Sequence, residues 1–271
     1  MERSNHKVFS SQTGIMSYEV SGSGRPILVI HGSGGGSDQG ILIAERLLPL
    51  GKALCPSRFG YLDSALPKKA DSEAQADAYL DLLREENVRT VDVVAYSAGG
   101  PSAVEFARRY PDYCRSLILI SAVSTPSLEK GLKAKLAFSQ LKDRTVISGF
   151  LHSLGVPKEI SPQPKEEDEH FLQFSLRSLK QFKLRLKGYL ADKNMLPLPD
   201  IAYQEISCPV LIIHAADDKV VSIDNAQYTQ RLVPNSESYI LPEGGHLLFT
   251  QHSKIKDRIA RFWNLSKTGE A

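Results

Sequence analysis

Residues 91–100 have the sequence VDVVAYSAGG, in which a short apolar run leads into a turn of small residues. The run at 91–95 predicts a buried β-strand, because continuous apolar runs of this length are typical of strands covered on both faces. Ser97 follows in the turn, and a helical pattern begins directly afterwards. Such a turn would lift the serine hydroxyl to the top of a sheet, as in the nucleophile elbow G-x-S-x-G, with Ala95 replacing the first glycine. Ser97 is therefore a candidate nucleophile, although this segment alone fits a structural serine as well.

Apolar segments of strand length alternate with helical patterns along most of the chain. Besides 91–95, strands are predicted at 26–30, 116–120, 209–213 and 238–241. Helices are predicted at 38–50, 71–87, 99–110, 224–233 and 251–264. Asp38 and Asp71 are candidate N-caps of the first two helices. This alternation predicts an α/β fold with a mostly parallel sheet that helices cover on both faces.

The middle of the chain has a different character and contains no convincing buried strand. Its pattern is helical at 128–154, proline-punctuated and charged at 156–169, and helical again at 170–190. We therefore expect a helical insertion inside an α/β core. The predicted division is a helical cap at 126–205 and a core formed by residues 1–125 and 206–271.

The composition is that of an ordinary globular protein. The 271 residues suffice for a sizeable core, in one large domain or two modest ones. Hydrophobic residues make up 42% and charged residues 24%, which excludes a disordered chain, a collagen and a membrane bundle. The formal net charge of +2 gives no electrostatic reason to expect a nucleic-acid partner.

Three further features predict a cytoplasmic protein with no membrane partner. The longest aliphatic run near the N-terminus, residues 27–30, is far too short for a transmembrane helix. The first residues are polar and lack the apolar centre of a signal peptide. Cys55, Cys114 and Cys208 form neither a CxxC pair nor a zinc spacing, so we expect buried free thiols in a reducing compartment.

A serine nucleophile needs a base to take its proton and an acceptor to orient that base. His246 lies in the stretch PEGGHLL, just after the last predicted strand, where two glycines permit an unusual backbone path. In the stretch HAADDKVV, directly after the strand at 209–213, Asp217 and Asp218 compete for the role of the acid. A carboxylate leaving one parallel strand can reach a histidine from the next loop.

A glycine-rich loop, HGSGGGS at residues 31–37, follows the strand at 26–30. A Walker A loop would require Lys-Ser/Thr after the glycines, and a dinucleotide fingerprint would require glycine where Ser37 stands. An oxyanion-hole loop fits best, because it accounts for these exposed amides together with Ser97.

In this order the four elements resemble the α/β-hydrolase superfamily. The matching pieces are HGSGGG at 31–36, AYSAGG at 95–100, HAADDKVV at 214–221 and EGGH at 243–246. The stretch SRFGYLDS at 57–64 is similar to the Arg-x-Gly-Tyr-Gly-x-Ser segment of such enzymes, with leucine in place of the last glycine. The insertion at 126–205 matches only as a generic helical cap.

The resemblance implies a role for each matched residue. Ser97 would be the nucleophile, His246 the general base and Asp218 the acid that orients it. The amides of Ala98 and Ser33 would form the oxyanion hole, with Gly34 the alternative to Ser33. His31 and His214 would be structural residues at strand ends. The mechanism would require no metal and no organic cofactor.

The expected function is that of a serine hydrolase acting on a small carboxylic ester or related acyl substrate, in enzyme class 3.1.1. Hydrolysis of a carbon–carbon bond in a diketone-type substrate is an alternative, and so is a ligand-sensing receptor with slow turnover. Phe174, Leu176 and Leu179 of the insertion could line an apolar acyl site or could simply pack on the core. Substrate and oligomeric state stay open.

Overall fold

The protein forms an α/β sandwich, described by a computed structural model over residues 5–125, 166–194 and 201–264. The described strands are β1 (Asn5–Ser11), β2 (Gly14–Ser21), β3 (Pro26–Ile30), β4 (Lys52–Pro56), β5 (Val91–Tyr96), β6 (Cys114–Ile120), β7 (Val210–Ala215) and β8 (Ser236–Leu241). The described helices are α1 (Ser37–Leu47), α2 (Ser72–Glu85), α3 (Gly100–Arg109), α4 (Glu166–Lys180), α5 (Phe182–Asn194), α6 (Asp224–Leu232) and α7 (His252–Phe262).

The strands form one sheet in the order β1-β2-β4-β3-β5-β6-β7-β8. The pairs from β4 to β8 are parallel, whereas β1 and β2 form an antiparallel hairpin and β2 also runs antiparallel to β4. The predicted mostly parallel sheet is thus confirmed, as are the five predicted strands and the five helices around it, within a few residues at their ends. Because all strand-to-helix loops of a parallel sheet leave one edge, residues distant in sequence can meet there.

Two apolar clusters lie on opposite faces of the sheet. In β3 the side chains alternate, with Ile27 and Val29 in one cluster and Leu28 and Ile30 in the other. Helices α1 and α7 cover the face of Ile27 and Val29, and α2, α3 and α6 cover the face of Leu28 and Ile30. Both faces are therefore dry, which explains why the central strands have continuous apolar sequences.

The sequence did not predict three strands, β1, β2 and β4, because each lacks a continuous apolar run. Strand β1 exposes four of its seven side chains and β2 buries only three of its eight, so their sequences mix polar and apolar residues. Strand β4 is only five residues long and begins with Lys52. Its residues from Ala53 to Pro56 are nevertheless buried, because β4 lies between β2 and β3.

The described part of the insertion consists of two consecutive helices. The single helix expected at 170–190 is interrupted near Gln181, and α4 begins at Glu166, inside the charged, proline-punctuated segment 156–169 that predicts a loop or a solvated surface. The remainder of that segment and the helix predicted at 128–154 lie outside the described residues. Since Ile201 and Tyr203 pack in the core cluster of α2, α3 and α6, the chain has rejoined the core by residue 201. The division into core and cap stays a prediction.

The candidate N-caps and cysteines have different outcomes. Asp71 accepts a hydrogen bond from the Ala74 amide at 2.9 Å and caps α2, as predicted. Asp38 does not cap α1, because that helix begins one residue earlier, and its carboxylate instead binds Arg185 of α5. The three cysteines, Cys55, Cys114 and Cys208, are buried free thiols, as predicted. No helix in the described ranges is both long and apolar enough to cross a membrane.

His31 at the end of β3 is a structural residue that joins two loops. Its ring is fully buried, with Nδ1 2.7 Å from the Gly32 carbonyl oxygen and Nε2 2.9 Å from the Arg58 amide. The Arg58 amide must donate to Nε2, so the proton of the neutral ring lies on Nδ1 and is donated to Gly32. Burial and the positive charge of Arg58 lower the pKa of His31 well below its ordinary value. The ring therefore stays neutral in the folded protein.

We predict that Ile118→Ala lowers the free energy of unfolding by about 2–5 kcal/mol, because it leaves a cavity at a fully buried position of β6. Urea unfolding measures the change. The matched control is Ile15→Ala in β2, where the side chain is 51% exposed and the expected change is within about 0.5 kcal/mol. Equal losses in the two variants would contradict the assignment of the core.

We also predict that His31 makes folding stability depend on pH. Below about pH 6.5 the unfolded chain protonates this histidine and the folded chain does not, so the free energy of unfolding falls as the pH falls. Urea unfolding of wild type and His31→Asn should be compared above and below that pH. The free energy of unfolding of the variant should depend less steeply on pH than that of the wild type, by up to about 1.4 kcal/mol per pH unit. Parallel pH curves for the variant and the wild type would contradict the buried neutral ring.

Candidate active site

Ser97 lies at the carboxyl end of β5, where the strand turns into α3. Its backbone has a φ of +52°, a left-handed conformation that is uncommon for a residue with a side chain. The turn is crowded, since a Cβ atom on Gly99 would lie 2.8 Å from the His31 carbonyl oxygen. The Val123 amide donates to the Ser97 carbonyl at 3.0 Å and holds the turn against the end of β6. This is the predicted strand–turn–helix geometry of a nucleophile elbow.

His246 reaches Ser97 from the loop after β8. Its Nε2 lies 3.0 Å from Ser97 Oγ, and its ring is buried. The two preceding glycines, Gly244 and Gly245, both have positive φ and provide the unusual backbone path that the sequence suggests. The Tyr96 hydroxyl donates to the His246 carbonyl at 2.6 Å, which anchors the loop to the end of β5.

Asp218 lies on the other side of the imidazole, in the loop after β7. Its Oδ2 is 2.8 Å from His246 Nδ1, and its Oδ1 accepts the amides of Val220 and Val221 at 2.7 and 3.0 Å. Burial raises the pKa of this carboxyl, but the charge and hydrogen bond of His246 outweigh burial and hold the pKa below its ordinary value. The ionised carboxylate can only accept, so it assigns the imidazole proton to Nδ1 and leaves Nε2 to accept from Ser97.

The two competing aspartates have different contacts. Asp217 is exposed, and its Oδ1 accepts the Gly245 amide at 2.9 Å, so it supports the loop that carries His246 without contacting the ring. The buried His214 has its Nε2 2.9 Å from the Val221 carbonyl oxygen and 3.5 Å from Asp218. Asp217 therefore supports the loop of His246, and His214 lies beside Asp218.

The glycine-rich loop after β3 lies beside Ser97, because a Cβ atom on Gly32 would be 3.0 Å from Ser97 Cβ. The Gly32 amide donates to Gln39 Oε1 at 2.8 Å, and the Gly34 amide donates to the Tyr61 hydroxyl at 3.2 Å. Ser33, between them, is exposed. Ala98, the residue after Ser97, is half-buried in the short 3₁₀ turn that precedes α3. The structure thus brings the predicted loop and the predicted elbow together.

The residues that sequence reasoning missed are buried charges joining α5 to the core. Arg58 donates from Nη1 and Nη2 to the two oxygens of Asp192 at 2.7 Å each, and the Tyr61 hydroxyl donates to Asp192 Oδ2 at 2.5 Å. Arg185 binds Asp38 at 2.7 Å and donates to the Gly35 carbonyl oxygen. Arg58 and Tyr61 lie in the segment 57–64, but their acidic partner is more than 100 residues away in sequence and its position carries no motif.

The predicted acyl-site residues of the insertion are not brought to Ser97 by any described contact. Phe171 is buried against His252 of α7, with ring centroids 4.7 Å apart. Phe174 is buried beneath the guanidinium group of Arg185. Leu176 is 39% exposed, and the side chain of Leu179 lies outside the described part. Phe171 and Phe174 of α4 therefore pack on the core and on α5.

Comparison with known proteins gives sequence relatives with hydrolase names. The chain is 27% identical over 265 residues to the uncharacterized hydrolase YcgS of Bacillus subtilis, covering 87% of this chain and 89% of the relative. It is 24% identical over 233 residues to Lipase 1 of Psychrobacter immobilis, covering 83% and 72%.

A solved structure and a family model complete the comparison. The meta-cleavage product hydrolase of Pseudomonas fluorescens superposes with a TM-score of 0.75 at 17% identity, covering 95% of each chain, and so shares the fold. Residues 27–257 match the model of the alpha/beta hydrolase family. That match spans most of the chain, from β3 to α7, and it shows that this protein belongs to the alpha/beta hydrolase family and is a hydrolase of that family.

Proposed function

We propose that this protein hydrolyses small carboxylic esters through a Ser97–His246–Asp218 triad and an acyl-enzyme, an activity of enzyme class 3.1.1. The observation that carries the proposal is the unbroken chain of contacts from Ser97 Oγ to His246 Nε2 at 3.0 Å and from His246 Nδ1 to Asp218 Oδ2 at 2.8 Å. All three side chains are buried, so water does not compete for these hydrogen bonds.

In the first half of the reaction, Ser97 Oγ attacks the carbonyl carbon of the ester while His246 Nε2 takes its proton. The Asp218 carboxylate stabilises the imidazolium that forms and keeps the ring in the productive orientation. The tetrahedral intermediate then collapses, its bond to the leaving oxygen breaks, and His246 gives the proton to the departing alcohol. An acyl group remains on Ser97.

Water completes the cycle by the same chemistry. His246 takes a proton from water, and the resulting hydroxide attacks the acyl carbonyl of the Ser97 ester. The second tetrahedral intermediate releases the carboxylic acid, and the proton on His246 returns to Ser97. Every step uses the side chains of this protein and water, so the proposed reaction involves no cofactor or metal.

Two backbone amides would hold the negative oxygen of each tetrahedral intermediate. Ala98 is the residue after the nucleophile, at the position where this fold supplies one donor. Ser33 is favoured over Gly34 as the second donor, because the Gly34 amide already donates to Tyr61. Such preorganised donors act where charge develops and need no rearrangement during the reaction.

The choice of an ester rests on the relatives and on the site chemistry. Lipase 1 is named for ester hydrolysis and aligns over 83% of this chain, which supports an ester substrate. The meta-cleavage product hydrolase shares the fold, so the carbon–carbon bond hydrolase remains the alternative to be tested with the same variants. No described residue of the insertion is assigned to the acyl site.

We predict that Ser97→Ala loses at least about 10⁴-fold in turnover of short-chain p-nitrophenyl esters, since no neighbouring group replaces the nucleophile. Covalent labelling by a fluorophosphonate probe should disappear in the same variant. The matched control is Ser102→Ala, which removes a buried hydroxyl of α3 that donates to the Gly99 carbonyl. Labelling that persists in Ser97→Ala would contradict the assignment of the nucleophile.

The same assay separates the three candidate functions when the ester series is graded in acyl length and a vinylogous diketone is added. Repeated turnover of esters supports the proposal. Turnover of the diketone alone would support carbon–carbon bond hydrolysis. Saturable binding with a single slow turnover would support a ligand sensor. In each case Ser97→Ala shows whether the activity depends on the triad.

We predict that Asp218→Asn lowers kcat by roughly 10³–10⁴-fold, because an amide can neither stabilise the imidazolium nor enforce its tautomer. Asp217→Asn should lose less than about tenfold, since the asparagine oxygen can still accept the Gly245 amide. Steady-state kinetics on the same ester compares the two variants. A larger loss in Asp217→Asn would overturn the choice of the acid.

A further inference from the structure

Tyr61 joins the glycine-rich loop to the insertion through its hydroxyl group. The side chain is fully buried in the segment after β4. Its hydroxyl donates to Asp192 Oδ2 on α5 at 2.5 Å, accepts the Gly34 amide at 3.2 Å and lies 3.3 Å from Ser33 Oγ. One hydroxyl thus contacts both the helix and the loop that faces Ser97.

The direction of these hydrogen bonds follows from the charges around the ring. Burial, together with the negative charge of Asp192, raises the pKa of Tyr61 well above its ordinary value, although Arg58 opposes the rise. The hydroxyl therefore keeps its single proton and donates it to the carboxylate. Its lone pairs remain for the loop, and they accept the Gly34 amide.

The carboxylate that receives this proton is itself fixed. Both oxygens of Asp192 accept from Arg58, which is 2% exposed, in a bidentate pair that restricts rotation of the carboxylate. The Arg58 amide donates to His31 Nε2, and the His31 ring packs edge-on against Tyr61 with ring centroids 4.7 Å apart. The Tyr61 hydroxyl is thereby held by a fixed carboxylate, and its ring packs against a fixed imidazole.

Helix α5 also packs directly against Tyr61. Gly188 donates its amide to the Gly60 carbonyl at 2.9 Å, and the Leu62 amide donates to the Leu184 carbonyl at 3.0 Å, so the residues flanking Tyr61 are bonded to the helix. A Cβ atom on Gly188 would lie only 2.1 Å from Tyr61 Cδ2. Only a glycine at position 188 lets the backbone of α5 come this close to the Tyr61 ring, so the absence of a side chain there fixes the distance between the helix and the ring.

The loop is held on both sides of Ser33. The Gly32 amide on one side is bonded to Gln39, and the Gly34 amide on the other side is bonded to Tyr61. The peptide unit that carries the Ser33 amide is held at its carbonyl, which accepts from His31 Nδ1 at 2.7 Å and from the Gly35 amide at 3.2 Å. The Ser33 amide is thus oriented by this unit together with its two neighbours, and Tyr61 holds the neighbour that follows it.

We propose that Tyr61, anchored by Asp192, is a positioning residue that sets the oxyanion loop, so that one hydroxyl links α5 to transition-state stabilisation. This inference rests on the proposed ester hydrolysis and on Ser33 as a donor. Loss of the hydroxyl would release the Gly34 amide and leave the loop free to reorient. Since the oxyanion contact strengthens in the transition state, the loss should appear in kcat and leave KM nearly unchanged.

The test compares Tyr61→Phe with Tyr18→Phe on one p-nitrophenyl ester. Both changes remove a buried hydroxyl that donates to a carboxylate, but the Tyr18 hydroxyl binds Glu86 at the end of α2, at 2.8 Å. We expect kcat to fall about 10–100-fold in Tyr61→Phe, less than for complete loss of an oxyanion donor, with KM within about twofold. Tyr18→Phe should keep the wild-type kcat. Equal kcat values in the two variants would overturn the proposal.

A trifluoromethyl ketone inhibitor provides a second readout, because its adduct with Ser97 carries an oxyanion. Its affinity should fall in Tyr61→Phe in parallel with kcat/KM, which a purely structural role would not require. Asp192→Glu is the second variant, since it keeps the charge that Arg58 needs and displaces the carboxylate by one methylene. We expect a lower kcat here too, and wild-type kcat with wild-type inhibitor affinity in this variant would also overturn the proposal.

Failure of this inference and failure of the proposed function give different results. A wild-type protein without ester turnover, or a Ser97→Ala variant that retains it, would refute the proposed function. A wild-type protein that turns over esters through Ser97, with Tyr61→Phe behaving as Tyr18→Phe does, would refute only the role of Tyr61.

Discussion

The left-handed backbone at Ser97 is the constraint around which the site is built. A φ of +52° at a residue with a side chain is unfavourable by itself, so the surrounding structure must hold it in place. The hydrogen bond from Val123 and the close approach of Gly99 to His31 both contribute to this. In this conformation the turn places Ser97 Oγ above the edge of the sheet from which the loops after β3, β7 and β8 leave.

Buried charge is the second organising feature, and it lies between the core and α5. Burying an ion costs free energy unless a partner and further hydrogen bonds compensate for the lost water. Arg58 and Asp192 meet this requirement with two direct hydrogen bonds and the Tyr61 hydroxyl, and Arg185 meets it with Asp38 and the Gly35 carbonyl. Such pairs are directional, so they specify one seating of α5, which apolar packing alone would define less sharply.

The sequence predicts the central strands and their helices because both faces of the sheet are dry, and it brings Ser97, His246 and Asp218 together through the order of the loops. It does not predict the hairpin of β1 and β2, where exposure breaks the apolar pattern. Asp38 resembles a cap in sequence, but it pairs with a residue 147 positions away. Contacts of this kind depend on how separate elements pack, and neither propensity nor periodicity records them.

The central claim is that Ser97 carries a covalent acyl intermediate, and rapid acid quenching during turnover of a p-nitrophenyl ester tests it most directly. Peptide mass spectrometry of the quenched protein should find the acyl mass on the peptide containing Ser97, with Ser97→Ala as the blank. Acyl mass on another residue, or sustained ester turnover with no acyl group on Ser97 at any quench time, would contradict the account.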